Sequence, residues 1–353
     1  MKLISGGSAS IRPARWAAAL GLALVAVACG GGTATPATTT SAAPVDVTIG
    51  VSQVNLSNTG MYVAIEKGYF RDAGVNVNLT QLSSGATASQ AMASRSVDLV
   101  ASGALDVGAA TAQGIPFQAI AVLSGVTLEL CTSKKLAAAH NITSTSSVNE
   151  VMSSFKGATF GITGANSAPD SALRYLLVKY GNLKPDVDVK IVSLGSLAAV
   201  LTAFGRAQID GFIQSPPSCL QTIGAGTGVR ALLVSQVPAL LGTPQTVIYS
   251  RRDWIDSNKS TATKVASATA KGDLFARDHT DETVAVLLKY FSGQDPVQLK
   301  QIFTEVVQPV IPKDAKASAT GWSRLSDELL SAGMITKPLN TKEGTIWTNA
   351  YIH

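Results

Sequence analysis

Beyond Pro44 the chain alternates short apolar, β-rich runs with segments of helical periodicity, the pattern of an α/β fold. Val45–Val51 predicts a first strand, and Thr59–Arg71 a helix closed at the Gly68-Tyr69-Phe70 corner. Val75–Leu82 predicts a second strand, Ala86–Arg95 a helix and Val97–Ala101 a third strand. Ala119–Leu130 reads as one long extended run with Gly125 in its middle. Much of the plan then recurs: a strand at Ala158–Ile162, a helical stripe of Leu173, Leu176, Leu177 and Tyr180 that Gly181 can end, a strand at Val187–Val192, a second stripe of Leu197, Val200, Leu201 and Phe204, and a strand at Ile209–Gln214. After Ser235 the order changes. A strand at Thr246–Ser250 precedes helices at Thr261–Asp278, Thr280–Phe291, Pro296–Val307 and Ala317–Ala332. The third of these opens with an Asp295 cap and Pro296 at the first helical position.

Two 29-residue segments, Val75–Gly103 and Val187–Ser215, can be laid side by side. In each a strand reaches a Ser/Gly turn, a helix follows, and a hydrophobic-Asp-x-hydrophobic strand closes the unit, so Asp98 aligns with Asp210. Any βαβ unit shares part of this plan, but the equal length and the aligned acid favour two similar lobes with a ligand cleft between them. The strand and helices after the second lobe are expected to return to the first, with two crossovers as the hinge. The expected division is a first lobe of residues 45–130, a second of 131–240, and a return to the first over 241–353.

The N-terminus places the chain outside the cytoplasm. Residues 1–28 hold Lys2, Arg12 and Arg15 and no acid, and Trp16–Ala28 is an uncharged apolar run of 13 residues. A spanning helix needs about 20, so this run reads as a signal-peptide core. Small residues precede Cys29, which resembles a bacterial lipoprotein signal with Cys29 as the acylated first residue, although Ala26 stands where that signal usually has Leu. Ordinary secretion with a free Cys29 is the plainer alternative. Residues 29–44 hold only Gly, Thr, Ala, Pro and Ser after the cysteine and behave as a tether. The expected location is the outer face of the bacterial cell membrane, or the periplasm. Removing the three N-terminal cations leaves 25 basic against 23 acidic residues, a near-neutral protein with no electrostatic case for nucleic acid or a membrane surface. Three scattered histidines leave little for a His-rich metal site.

The run Lys67-Gly68-Tyr69-Phe70-Arg71-Asp72-Ala73-Gly74-Val75, followed by Ser83-Ser84-Gly85 and Ser96-Val97-Asp98, resembles the first lobe of the substrate-binding proteins of nitrate, sulfonate, taurine and thiamine-precursor ABC importers. The second lobe resembles it through Phe155-Lys156-Gly157, Phe160-Gly161-Ile162, Asn166-Ser167, Ser193-Leu194-Gly195 and Gln208-Ile209-Asp210-Gly211. The resemblance spans about residues 46–335. It implies an α/β, two-lobe type II periplasmic-binding-protein fold, with a ligand cleft between the lobes and docking on a permease with its ATPase. The solute stays open, since the family binds very different small molecules. No cofactor is expected, and the expected state is a monomer whose lobes move freely.

Ligands of open α/β sheets sit beyond the carboxyl ends of strands, where helix N-termini offer free N–H groups. The loops that qualify are Gln53–Thr59, Ser83–Ala86, Ser102–Asp106, Thr163–Ser167 and the Gln214-Ser215 strand end. The candidate ligand residues are Gln53, Asn55, Ser84, Gly85, Gly103, Asp106, Asn166, Ser167 and Gln214, with Ser124 and Thr127 flanking Gly125 on the presumed hinge. Ser84, Asp106 and Ser167 are also good helix caps, whereas Asn55, Asn166 and Gln214 are less easily explained that way. The set contains no Arg or Lys. A bound anion would rest on amides and helix dipoles, or the ligand is neutral or even cationic beside Asp106, Glu129 or Asp170. Phe117 and Phe212 are the nearest rings and are read as core. Cys131 and Cys219 would share an oxidising compartment and could pair, closing a loop worth roughly 4–5 kcal/mol; two buried free thiols are the alternative.

No G-x-S-x-G, H-E-x-x-H or G-x-x-x-x-G-K-[ST] occurs. Gly224-Ala225-Gly226-Thr227-Gly228 is followed by Val229 where a dinucleotide loop needs its third glycine, so it reads as a plain loop. His140 and His279 fall near expected helix ends. The pyrimidine synthases that share this fold use a cysteine-rich motif, and the chain has no such cluster. The resulting expectation is a non-enzymatic, lipid-anchored solute receptor of an ABC importer. The alternatives are a sensor that presents ligand to a signalling partner, and an extracellular enzyme on the same fold.

Overall fold

The structure, a computed structural model, describes residues 43–353 except Gln53, Ser84, Asp314 and Ala315 and the side chains of Gly85 and Ala86. The expected signal segment, Cys29 and nearly all of the tether lie outside the described residues.

Among the described residues, ten strands build two five-stranded sheets. They are β1 (Val45–Val51), β2 (Val75–Gln81), β3 (Leu99–Gly103), β4 (Phe117–Gly125), β5 (Glu129–Ser133), β6 (Thr159–Ile162), β7 (Lys190–Ser193), β8 (Gly211–Gln214), β9 (Gly228–Leu233) and β10 (Pro244–Arg251). The first sheet runs β2-β1-β3-β10-β4 and the second β7-β6-β8-β5-β9. In the first, β1 is parallel to β2 and β3, while β10 is antiparallel to β3 and β4. The second repeats this with β6 parallel to β7 and β8, and β5 antiparallel to β8 and β9. Each sheet thus receives its antiparallel strand immediately after the chain has crossed from the other sheet.

The two aligned segments occupy equivalent places, and the aligned acids act alike. The Asp98 carboxylate accepts the Thr48 N–H of β1 at 2.8 Å, and the Asp210 carboxylate accepts the Thr159 N–H of β6 at 2.9 Å. A short carboxylate at the entry of the third strand therefore pins the neighbouring parallel strand in both lobes, a device that a hydrophobic residue there could not supply.

Strands β3, β10 and β4 of the first sheet are covered on both faces, while the edge strand β2 is largely exposed. Because side chains alternate along a strand, β10 sends Ile248 to one core and Val247 and Tyr249 to the other. The Ile248 side packs under the helices Thr59–Glu66 and Lys259–Asp278. The Tyr249 side packs under Ala104–Ala112 and Ala319–Ser331, with Trp322 fully buried. The second lobe has its own core around Leu130, Phe155, Phe160, Leu173 and Ile213.

Three expectations change. The extended run 119–130 is two strands in different sheets, joined by the buried link Val126–Leu128, because the Thr127 N–H bonds to Gln245 Oε1 at 2.6 Å instead of continuing a ladder. The helical segment does stop at Gly181, as expected, but it is regular only over Ala168–Leu176 and widens over Leu177–Gly181. The left-handed residue there is Asn182 (φ 50°), while Gly181 lets the backbone approach Met152, whose carbonyl oxygen would lie 3.0 Å from a Cβ. The helix expected over 59–71 ends at Glu66, and Gly68 takes a left-handed φ of 77° before a short second helix, Tyr69–Asp72. Strand β9 was not foreseen. It follows the Ser218–Gly224 helix, so the Gly224–Gly228 stretch is a helix-to-strand turn, as its missing third glycine suggested. His140 and His279 are the C-caps of their helices.

Candidate functional site

A cavity of about 50 Å³ lies where the two sheets present their strand ends to each other. From the first lobe come Ser52 and the turn Leu56–Asn58, whose cap Asn55 and last residue Asn58 face the space. Ser102, Gly103 and Asp106 join them from the start of the Ala104–Ala112 helix. The second lobe contributes Thr163, Ser167, Ala168 and Pro169 at the start of the Ala168–Leu176 helix, and Gln214 and Ser215 after β8. The crossovers add Leu128, Gln245 and Thr246. The lining is hydroxyls and amides, with Asp106 its sole ionisable side chain among the described residues.

The local chemistry separates caps from groups left for another purpose. Asn55 Oδ1 accepts the Ser57 N–H at 2.9 Å and so does cap its turn. Asp106 is not the N-cap residue: Gly103 holds that position without a side chain, and Asp106 stands inside the first helical turn, where the Ser102 hydroxyl donates to Oδ2 at 2.6 Å and the Gly103 backbone N–H also supports the carboxylate. Ser167 sits at the N-cap position with extended backbone, yet its hydroxyl makes no cap bond and has no partner among the described residues, although the residue is only 5% exposed. Gln214 Nε2 is equally without a partner, on a residue 1% exposed. Buried polar atoms are almost always satisfied, and an orphan costs about 1–3 kcal/mol. Both of these orphans come from the second lobe and line the one cavity.

Behind the cavity a neutral network ties both lobes and both crossovers together. The Ser57 and Thr127 hydroxyls are 2.6 Å apart, Ser57 Oγ donates to Ser215 Oγ at 3.1 Å, and Gln245 Nε2 donates to Ser215 Oγ at 2.8 Å. Thr127 therefore serves the hinge and does not line the cavity. Ser124, fully buried on β4, has no partner among the described residues and also lies outside the lining. Asn166 is exposed, with a left-handed φ of 59° and its N–H given to Asp170 Oδ2 at 2.8 Å; it shapes the loop and does not reach the cavity. Gln53 and Ser84 lie outside the described residues, and Gly85 opens the Gly85–Ala93 helix. Phe117 and Phe212 are core rings, packed on Tyr249 and Phe204.

Of the other two acids considered beside a ligand, Asp170 is held by Arg174 Nε at 2.7 Å and faces its own helix terminus. Glu129 on β5 is buried, with neither oxygen hydrogen-bonded among the described residues. Arg230 Nε stands 3.4 Å away without bonding geometry, and Arg230 also reaches Glu305 of the first lobe at 3.6 Å. A further buried acid, Glu328, accepts the Ser171 hydroxyl at 2.7 Å across the lobes. Burial pushes Asp106, Glu129 and Glu328 each up to about 7, against opposing help from Ser102, Arg230 and Ser171 respectively.

These shifts fix the sign of the pH dependence. A carboxyl whose folded value is raised binds its proton more tightly when folded, so its stabilising contribution is complete below the unfolded value near 4 and is lost as pH rises through about 7. The protein is expected to melt several degrees higher at pH 5 than at pH 8. Melting curves over that range test this, and a flat or rising profile would show that the three acids are charged in the fold.

The sequence itself matches a family model described as NMT1-like over residues 41–288. The chain belongs to the NMT1-like family. No curated protein matches it by sequence. Among solved structures, the periplasmic nitrate-binding protein NrtA of Synechocystis PCC 6803 superposes with a TM-score of 0.67 at 17% identity, covering 84% of each chain. The alkanesulfonate-binding protein SsuA of Xanthomonas axonopodis pv. citri, bound to MOPS, gives 0.66 at 17% identity over 84% of this chain and 96% of that one. The Candida albicans CA3427 gene product, described as having the generic periplasmic binding protein fold, gives 0.63 at 13% identity over 84% and 93%. The fold of this NMT1-like chain is accordingly the two-lobe periplasmic-binding-protein fold.

In this NMT1-like chain the cavity brings together Asn55, Gly103, Asp106, Ser167 and Gln214 of the expected set. Sequence reasoning pointed to the loops that carry Asn58, Ser102, Thr163 and Ser215 without choosing those residues. It missed Ser52, Gln245 and Thr246, of which the last two begin the returning strand β10. The one available signal was the polar pair that follows Pro244 at a strand entry.

Proposed function

We propose that the protein is a lipid-anchored extracytoplasmic solute-binding protein of an ABC importer, which closes its lobes on a small organic or oxyanion solute and delivers it to the permease. The observation that carries this is the pair of buried, partnerless polar atoms, Ser167 Oγ and Gln214 Nε2, set in a cavity between two lobes joined by two crossovers. The solute-binding proteins among the structural relatives, for nitrate and for alkanesulfonates, support the same reading. Asn55, Gly103, Asp106, Ser167 and Gln214 would contact the solute together with Ser102, Thr163, Ser215, Gln245 and Thr246. The apolar run before Cys29 supports acylation there, and an anchored monomer on the outer membrane face would hand solute to a permease beside it.

The Ser57–Thr127–Ser215–Gln245 network suits such motion. Its hydroxyls and amide can exchange partners at little cost, whereas a packed apolar hinge would resist. The test is a thermal-shift screen of the mature chain against nitrate, bicarbonate, taurine, alkane- and arylsulfonates, aromatic carboxylates, pyrimidines and polyamines. A ligand at a hundredfold its Kd should add about 2.7 kcal/mol and raise the melting temperature by several degrees. The expected result is one chemotype that shifts the melt, lowers the radius of gyration and is recovered unchanged. A ligand recovered chemically altered would overturn the reading in favour of an enzyme.

A further inference from the structure

We propose that the cleft selects a small solute that presents a nitrogen donor (an amine, amidine or guanidine) to Asp106, and that it discriminates against free oxyanions. The inference rests on the solute-binding reading and narrows it to a ligand class.

Three observations carry it. The first is the charge of the wall: among the described lining residues Asp106 is the one ionisable group, and no Lys, Arg or His lines the cavity. Asp106 is 6% exposed, takes a hydrogen bond from the Ser102 hydroxyl, and forms no ion pair among the described residues. The second concerns the two helix N-termini that open on the cavity. They would favour an anion, but each carries an acid in its first turn, Asp106 in one and Asp170 in the other. Asp170 already takes the Asn166 N–H and the Arg174 guanidinium. An entering oxyanion would therefore face a carboxylate with no cation to offset it. The third observation is the complementary pair of orphans. Gln214 Nε2 can only donate and Ser167 Oγ can donate or accept, so the fitting solute carries an oxygen or ring acceptor as well as its nitrogen donor.

Asp106 interacts with Tyr249 and takes bonds from Ser102 and the Gly103 backbone, but among the described residues no cation pairs with it. The elements packed on its helix bring Tyr249 and Arg251 of β10 and Arg324, Asp327 and Glu328 of the Ala319–Ser331 helix. Arg251 is engaged with Asp253 and the Met92 carbonyl, and Arg324 with the Leu241 carbonyl. With burial pushing the Asp106 carboxyl up to about 7, a nitrogen donor must displace its proton, so affinity rises with pH. An oxyanion needs that proton in place, and its affinity would fall.

The experiment is calorimetric titration of the mature chain at pH 6 and pH 8. One probe set is acetamidinium, guanidinium, ethylammonium and urea, the first three protonated at both pH values; the other is nitrate, ethanesulfonate and acetate. The tightest binder is expected in the first set, with affinity about tenfold higher at pH 8 than at pH 6. Asp106→Asn should weaken that binder at least tenfold and abolish its pH dependence. The pH comparison on the unaltered protein stands even if this variant fails to fold. Tightest binding by nitrate or ethanesulfonate, or an affinity that falls from pH 6 to pH 8, would overturn the inference and leave the solute-binding reading intact. No binding in either set, with no hit in the wider screen above, would remove both.

Discussion

Reduction of the bond between Cys131 and Cys219 is expected to cost the protein about 4–5 kcal/mol of stability. The two residues are 88 apart in sequence, with Cα atoms 5.8 Å apart in the structure, within the span a disulfide bridges without moving backbone. In the chain-entropy model, opening a loop of that length restores most of the conformational freedom that the cross-link denies the unfolded chain. The bond joins β5, which crosses from the first lobe, to the Ser218–Gly224 helix, and both sulfurs are buried. It does not line the cavity. Reductant should therefore lower the melting temperature by on the order of 10 °C while leaving ligand affinity unchanged well below the melt. Urea titrations with and without reductant measure the first effect and calorimetry the second. An unchanged midpoint would show that the linkage contributes nothing, and a parallel loss of affinity would place the bond in the site.

The second large effect is expected at Gly272→Ala. Gly272 lies inside the long helix Lys259–Asp278, where alanine would ordinarily stabilise by up to about 1 kcal/mol. Here the helix crosses Thr59–Glu66 so closely that a Cβ at 272 would overlap the Gly60 carbonyl oxygen and stand 2.9 Å from the Ala64 Cβ. Those atoms belong to backbone and to a side chain with no rotamers, so nothing nearby can swing aside. The helices must separate, and the apolar contacts along them loosen together, at a cost of about 3 kcal/mol or more. Denaturant unfolding of the variant measures it. A variant as stable as the parent would mean that the crossing is looser than its geometry. Gly60 faces the same constraint from Asp273, a fully buried acid whose carboxyl burial pushes well above the usual carboxylate range.

The candidate site was legible in the sequence to the level of loops. Polar residues at strand ends followed by helical periodicity located four walls of the cavity, because those positions follow from local rules about where a strand stops and a helix starts. The same rules misjudged individual residues. Ser167 looks like an N-cap and stands at one, yet its hydroxyl is left unused; Asn55 looked free and is a cap. Whether a side chain bonds its own backbone or faces a cleft depends on what the other lobe brings opposite it. Asn166 shows the converse, an amide residue consumed by loop geometry.

The sequence by itself determined the alternation of strands and helices, the 29-residue repeat and the equivalence of Asp98 and Asp210, since periodicity and a strand-entry carboxylate are properties of neighbouring residues. It also located the change of plan after Ser235. The tertiary structure alone decided that the run 119–130 divides between two sheets, that Thr127 meets Gln245 across 118 residues, and that Gln245 and Thr246 help line the cavity. It alone made Asp106 the lone ionisable wall of that space among the described residues, and Gly272 a point of contact. The physical reason is common to these cases. Burial, close approach and the loss of a hydrogen-bond partner arise between segments far apart in the chain, and no local pattern records which segments will meet.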